Sequence, residues 1–398
     1  MAVAPKGTLA IDPAPDRDAP EIALLRLVAR VDLDDDGRTQ LRELAANGLD
    51  WARLIELAKA HGLRPLLFRH LEQTLGPALP RQVFSQLWVY QEQLAAKNLR
   101  MRDELLAIVG VLESEGIPVL PLKGPMLALQ AYRDLALREF GDLDLLVPAE
   151  HRARARRLLA ERGYASFFPI SAAAEQALLH SPIHYHIALK RELMVELHWK
   201  TDAEFAIEPK DDASWWKTLG VMRVADIDVP ILSPHEQVLA LCLHGSKHHW
   251  SSLHWLVDIA ELLRKQPGLD WAWMLRRAGE LHARRRLALG LRLLRDRMGC
   301  VLPDAVDRWI ADFPDIGELA GEIARGWFEL PARPLGAWQR LHRNLSLYET
   351  TPARLKHIAD VILRPSLADW SRWPLPRGLF VLYLPLRIWR LLGKQIRA

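Results

Sequence analysis

The sequence predicts an α+β protein in which a small mixed β-sheet core is inserted between N-terminal helices and a C-terminal helical bundle. Two observations carry this. Apolar residues recur at helical spacing over 21–115 and again from 233 onward. Between them, residues 116–232 break into short Val-, Ile- and Leu-bearing runs set off by Gly, Pro and Asp, the mark of strands. A third supports a multi-part chain: 398 residues exceed one ordinary domain. The expected parts are a disordered leader (1–20), an N-terminal helical region (21–115), the α/β core (116–232), a C-terminal helical domain (233–350) and a basic amphipathic tail (351–398).

Within the first helical region, Asp50 suits an N-cap, and Trp51, Leu54, Ile55, Leu57 and Ala58 form a stripe behind it. Residues 81–115 read as one long helix, with a single break allowed, ending near Gly116. The core opens with Ile117-Pro118-Val119-Leu120-Pro121-Leu122, whose prolines suit an edge strand. A short helix over 125–133 precedes the strand 142–147, and a basic helix follows over 149–162. Residues 184–189 and 193–199 read as strands joined at Arg191-Glu192, and 221–232 as a second hairpin across Asp226-Ile227-Asp228. Ser233-Pro234-His235-Glu236 starts the helical return. Helices are expected over 234–249, 252–264, 270–297 with a break, 303–313, 315–329 and 350–363. Leu269-Asp270-Trp271-Ala272 echoes Leu49-Asp50-Trp51-Ala52, a reused helix start.

Charge and cysteine content narrow the function. The net charge is +4, but 351–398 holds nine Lys/Arg against two Asp/Glu, a local +7 that leaves −3 for the rest. An acidic body argues against nucleic acid as partner. Two cysteines exclude a disulfide scaffold and a cysteine-rich zinc site. The first residues lack the apolar stretch of a signal peptide, and no long uncharged apolar run stands out, so the expected compartment is the cytoplasm.

The chemistry concentrates at Leu122-Lys123-Gly124-Pro125 and Arg138-Glu139-Phe140-Gly141-Asp142-Leu143-Asp144. Asp142 and Asp144, two apart on a strand, point to one face with backbones roughly 6.6 Å apart. At an effective dielectric of 20 their carboxylates repel by about 2.5 kcal/mol, a cost that a cation between them removes. Oxygen ligands suit Mg²⁺, or Mn²⁺ in its place, with substrate phosphates completing the shell. D-x-D alone also suits a solvated strand edge. Lys123-Gly124, between strand and helix, favours phosphate, because glycine lets the backbone approach and the helix start offers N–H groups. Glu196 and His198 share one strand face, an arrangement that also suits a surface strand with a polar face.

These residues, in this order, resemble the DNA polymerase β-type nucleotidyltransferase superfamily. More narrowly they are similar to the bacterial uncharacterised nucleotidyltransferase family, whose members carry Leu-Lys-Gly, Tyr, Arg, Asp-x-Asp, an acidic-x-His-Trp strand and a His-rich helix. Here these are Leu122-Lys123-Gly124, Tyr132, Arg138, Asp142 and Asp144, Glu196-Leu197-His198-Trp199, and His244-Gly245-Ser246-Lys247-His248 with Trp250 and Asp258. The resemblance covers about residues 40–300. It implies an enzyme that moves a nucleoside monophosphate from an NTP to an acceptor. Asp142, Asp144 and Glu196 would be catalytic and metal-holding, with Lys123, Gly124, Arg138, His198, Lys247 and His248 on the nucleotide. One departure stands out: the superfamily's Gly-Ser pair is Gly124-Pro125 here. A hydroxyl and a backbone donor are lost, which leaves open a catalytically silent nucleotide-binding or adaptor protein on the same fold.

His244 and His248 at i, i+4 have zinc spacing but lack the Glu of H-E-x-x-H; a pocket wall or a plain core helix fits them better. The tail, Trp373 to Leu392, is apolar with basic punctuation. It reads either as a helix packed on the body with its arginines reaching solvent, or as a peripheral contact with an anionic membrane surface. Pro385 is expected to kink any helix there. The acceptor and the oligomeric state are not written in the sequence.

Overall fold

A computed structural model describes residues 19–167, 185–199, 216–331, 334–373 and 375–395. Most of the expected leader, up to Asp18, and His184 lie outside them. The architecture is α+β, a small mixed sheet amid helices. The chain divides into two compact units. The first comprises Met1–Arg100, Leu127–Phe140 and Pro234–Leu347; the second comprises Met101–Met126, Gly141–Ser233 and Tyr348–Ala398.

The first unit is helical and holds one continuous apolar core, running from Ile22 and Leu24 through Leu67 to Leu256, Leu287 and Ile310. The two echoing helix starts behave alike. Asp50 accepts from the Arg53 N–H at 3.0 Å, and Asp270 from the Trp273 N–H at 2.8 Å, each satisfying a donor that helix geometry leaves open. Trp250 is fully buried, and the turn it closes makes Gly245 necessary: a Cβ there would sit 2.6 Å from the Trp250 ring.

The second unit carries the five-stranded sheet, in the order β1-β2-β5-β4-β3. The strands are β1 (Leu120–Pro121), β2 (Asp142–Leu146), β3 (Ala165–Ser166), β4 (Tyr185–Lys190) and β5 (Leu193–His198). A separate hairpin pairs β6 (Gly220–Val224) with β7 (Ile227–Ile231). Both expected hairpins are present; the first turns at Arg191, and the second turns at Ala225-Asp226, earlier than the expected Asp226-Ile227-Asp228, because Ile227 and Asp228 already pair in β7. The long helix is unbroken over Arg81–Ser114 and is followed by Gly116 at φ 68°. The strand expected over 117–122 shrinks to two residues at the sheet edge, since Pro118 and Pro121 have no N–H to pair. The helix expected over 125–133 is α over Gly124–Leu127 and π over Ala128–Tyr132. Pro385 does not kink a helix: the helix Tyr383–Gln395 begins two residues earlier, so the proline sits in its first turn, where no hydrogen bond is lost. The structure adds helices at Ala337–Ser346 and Leu367–Arg372. Among the described residues no helix is long and apolar enough to cross a membrane.

Candidate active site

The site is built on the parallel pair β2–β5. In its register Asp142 lies opposite Met194, Asp144 opposite Glu196, and Leu146 opposite His198. The alternation of strand side chains sends all of these to one face and Leu143, Leu145, Val195 and Leu197 to the other. Those four are buried and anchor the face. The polar face then gathers its groups. His198 Nε2 lies 3.2 Å from Asp144 Oδ1 and 3.5 Å from Glu196 Oε2, and Lys123 Nζ lies 3.0 Å from Asp144 Oδ2. One ligand atom each from Asp144, Glu196 and His198 falls within 4.8 Å of the others, close enough to share a metal ion. Two carboxylates and an imidazole, with Asp142 at the start of the same strand face, form a donor set that could hold a divalent metal ion.

Burial shapes the electrostatics. Asp144 and His198 are both buried. Burial alone pushes the His198 pKa down, but its hydrogen bonds to Asp144 and Glu196 and the Asp144 charge outweigh burial and the opposing Lys123 charge, so the net shift is upward. Relative to a free histidine, these partners favour the protonated ring.

Lys123 and Gly124 reach the site because β1 runs antiparallel along β2. The Leu122 N–H donates to Asp144 O at 3.0 Å, and the next residue places its ammonium on the Asp144 carboxylate. Gly124 has φ 56°, and a Cβ built on it would lie 3.4 Å from Asp142 O. The left-handed backbone favours glycine here.

The remaining sequence-predicted residues belong to the other unit and have their own surroundings. Arg138 is buried. Its Nε and Nη2 donate to Asp258 Oδ1 and Oδ2 at 2.8 and 2.9 Å, and the Tyr132 hydroxyl donates to the same Oδ1 at 2.7 Å. Burial first, then the Asp258 charge, drives the Tyr132 pKa well up, so it stays a donor. The family-like Tyr, Arg and Asp thus form one buried network. Asn98 holds the same segment by donating to Leu135 O at 2.6 Å and Arg138 O at 2.9 Å. His248 stacks on Trp255, with centroids 5.3 Å apart and planes at 30°, and meets His244 at 4.5 Å. Lys247 ends the helix Pro234–Lys247, which carries His244, and His248 lies just past its end. His249 and Trp250 follow with φ of 55° and 51°, an unusual backbone for two successive non-glycine residues.

Spacing alone could not show three features. His198 is a candidate ligand as well as a positioning group, Lys123 is paired with Asp144, and Asp258 is the partner of Arg138. A fourth is a cavity of about 600 Å³ in the second unit, lined by residues that include Pro118, Leu146, Trp199, Trp216 and Pro230, with Glu113 and Glu150. Leu146 shares the strand face of Asp144, and Trp199 follows His198, so the cavity opens at the carboxyl ends of the strands that hold the acids.

No curated protein sequence matches the chain. Residues 47–299 match a family described as uncharacterised nucleotidyltransferase. This stretch takes in the Lys-Gly segment, β2, β5 and the Tyr132–Arg138–Asp258 network, and spans well over half of the chain. The chain belongs to the uncharacterised nucleotidyltransferase family.

Proposed function

We propose that this protein is a Mg²⁺-dependent nucleotidyltransferase of the DNA polymerase β type. It moves a nucleoside monophosphate from an NTP to a hydroxyl or phosphate of a small-molecule, sugar or peptide/protein acceptor. The single observation that carries the reading is the β2–β5 register, which puts Glu196 directly opposite Asp144 with Lys123 at the same carboxylate. Lys123 and Gly124 hold the triphosphate, the one by charge and the other by backbone approach. The acceptor oxygen forms a bond to the α-phosphorus, the bond to the β-phosphate oxygen breaks, and pyrophosphate leaves. Glu196 takes the acceptor proton, and His198 orients Glu196 through its 3.5 Å contact. Mg²⁺, or Mn²⁺ in its place, held by Asp142, Asp144 and Glu196, would offset charge on the attacking and leaving oxygens. Arg138 serves through Asp258, bracing its own segment.

The cavity supports an acceptor with an apolar part. It begins at Leu146, about 6.6 Å along the strand from Asp144 at two residues of strand rise, at the end away from Lys123. Two tryptophans favour a planar or apolar group there, and Glu113 and Glu150 favour positive charge over a nucleic-acid backbone. The NTP supply makes the cytoplasm the place of reaction.

A second reading is a silent nucleotide binder, favoured by Gly124-Pro125 and by the Lys123–Asp144 pair, which neutralises the acid without metal. Calorimetric titration with a non-hydrolysable NTP and Mg²⁺, followed by a pyrophosphate-release assay on cell extract, separates the two. Binding that D144N weakens, together with pyrophosphate release, supports transfer. Binding without release supports the silent protein. NTP–Mg²⁺ affinity unchanged in D142N and D144N rejects both.

A further inference from the structure

In the C-terminal segment of the second unit two arginines turn inward while many apolar side chains face outward. The helix Tyr383–Gln395 buries Tyr383 and Arg387 and exposes Leu384, Ile388 and Trp389, the last at 66%. The arginines of this helix turn toward a buried acid. Asp369 accepts from Arg387 Nη1 at 2.8 Å and from Arg390 Nη2 at 3.0 Å, and also from the Ser366 hydroxyl at 2.7 Å. Burial alone raises the Asp369 pKa, but these hydrogen bonds outweigh it and the net shift is downward. Arg387 also donates to Val361 O through Nε and Nη2, at 3.0 and 2.6 Å. The preceding helix Thr351–Leu363 repeats the pattern. His357 is buried and bonded to the Tyr348 hydroxyl at 3.0 Å, while Leu355 and Leu363 are 61% and 51% exposed. In the 3₁₀ turn Arg377–Leu382, Val381 is 76% exposed.

Helices bathed in water show the opposite pattern, burying the apolar stripe and solvating the charges. Paired charge inside with Leu, Ile, Val and Trp outside is the arrangement of an element that meets hydrocarbon. The helix is packed, as one of the two expectations had it, but Arg387 and Arg390 turn to Asp369 rather than to solvent. Two features choose lipid as the occupant. Lys356, Arg364 and Arg372 stay exposed in a stretch of net +7, and exposed basic groups complement anionic headgroups. An outward tryptophan on an otherwise aliphatic face suits the level of the headgroups. The helices are too short to span a bilayer, so the face lies in the interface.

We propose that residues 348–395 form a monotopic membrane-docking module that seats its outward Leu, Ile, Val and Trp face in an anionic lipid surface. This stands independently of the catalytic reading. The test is co-sedimentation of the full chain with phosphatidylglycerol-containing vesicles and with pure phosphatidylcholine vesicles. Wild type and V381E/W389E are compared, with melting curves and light scattering on both. Both substituted side chains are exposed, so an unchanged melting temperature is expected. Wild type should bind the anionic vesicles more tightly than the neutral ones, and the variant should lose that binding by about tenfold or more. The proposal is overturned by wild type that stays in the supernatant with both vesicles, or by equal binding of the two proteins. A variant that melts far lower shows the face to be core and also overturns it. So does a change in molar mass on substitution without vesicle binding, which assigns the face to a second copy or another protein.

Discussion

Lys123 Nζ lies 3.0 Å from Asp144 Oδ2, and the other oxygen of that carboxylate lies 3.2 Å from His198 Nε2. Asp144 therefore has positive charge at one oxygen and a hydrogen-bonding imidazole at the other. A divalent cation must compete with the ammonium for Oδ2, and a triphosphate gives that ammonium somewhere else to go. K123M should accordingly bind Mn²⁺ about tenfold more tightly in the absence of nucleotide, while NTP binding weakens by a similar factor. Calorimetry with Mn²⁺ alone and with a non-hydrolysable NTP checks both halves. Equal Mn²⁺ affinity in the two proteins contradicts the competition.

The buried Arg138–Asp258 pair should matter for stability whatever the reaction. D258N leaves the guanidinium without its bidentate partner, and a loss of about 3–5 kcal/mol is expected in denaturant unfolding. R138M/D258L removes both charges and should recover part of it, because each single change strands a buried group. An additive double variant would contradict this account of the network.

Gly124 stands at φ 56° with the Asp142 carbonyl close by. G124A should cost about 1 kcal/mol of stability, and its added methyl should weaken NTP binding, measured by calorimetry. An Ala variant indistinguishable from wild type in both would remove glycine's role.

His61 sets a pH dependence of opposite sign to that of His198. Its Nε2 lies 2.9 Å from Trp327 O, and burial lowers its pKa to about 4 despite that bond. A histidine with a depressed folded pKa contributes stability that is present above its unfolded value of about 6.5 and is lost as pH falls toward 4. The contribution is on the order of 3 kcal/mol. Unfolding free energy should drop between pH 6.5 and 4, and H61N should flatten that limb. His198, whose pKa is raised, works the other way: its contribution is present at low pH and lost as pH rises through its folded pKa.

Much of this was legible because it is local. Asp50 and Asp270 precede apolar stripes and cap their helices, and the turn at Asp226 lies between two short apolar runs. Asp142 and Asp144 share a face because a strand alternates. What the sequence could not show is which residue lies across from which. The parallel pairing that puts Glu196 opposite Asp144 joins segments 52 residues apart, and no periodicity encodes that register. The same limit hid the Asp258 partner of Arg138, 120 residues away. The tail misled for a different reason. Its basic residues predict a solvated face, yet Asp369 draws Arg387 and Arg390 inward, and one acid in a basic stretch is easy to pass over.

The central claim is transfer of the nucleotide's α-phosphoryl group at Asp144. The most direct measurement incubates full-length protein, Mg²⁺ and cell extract with NTP labelled at the α-phosphorus or at the γ-phosphorus. The account predicts that α-label alone appears on an acceptor with release of pyrophosphate, and that D144N lowers the rate by about a hundredfold or more. Transfer of γ-label, or α-transfer that persists at wild-type rate in D144N, would contradict it.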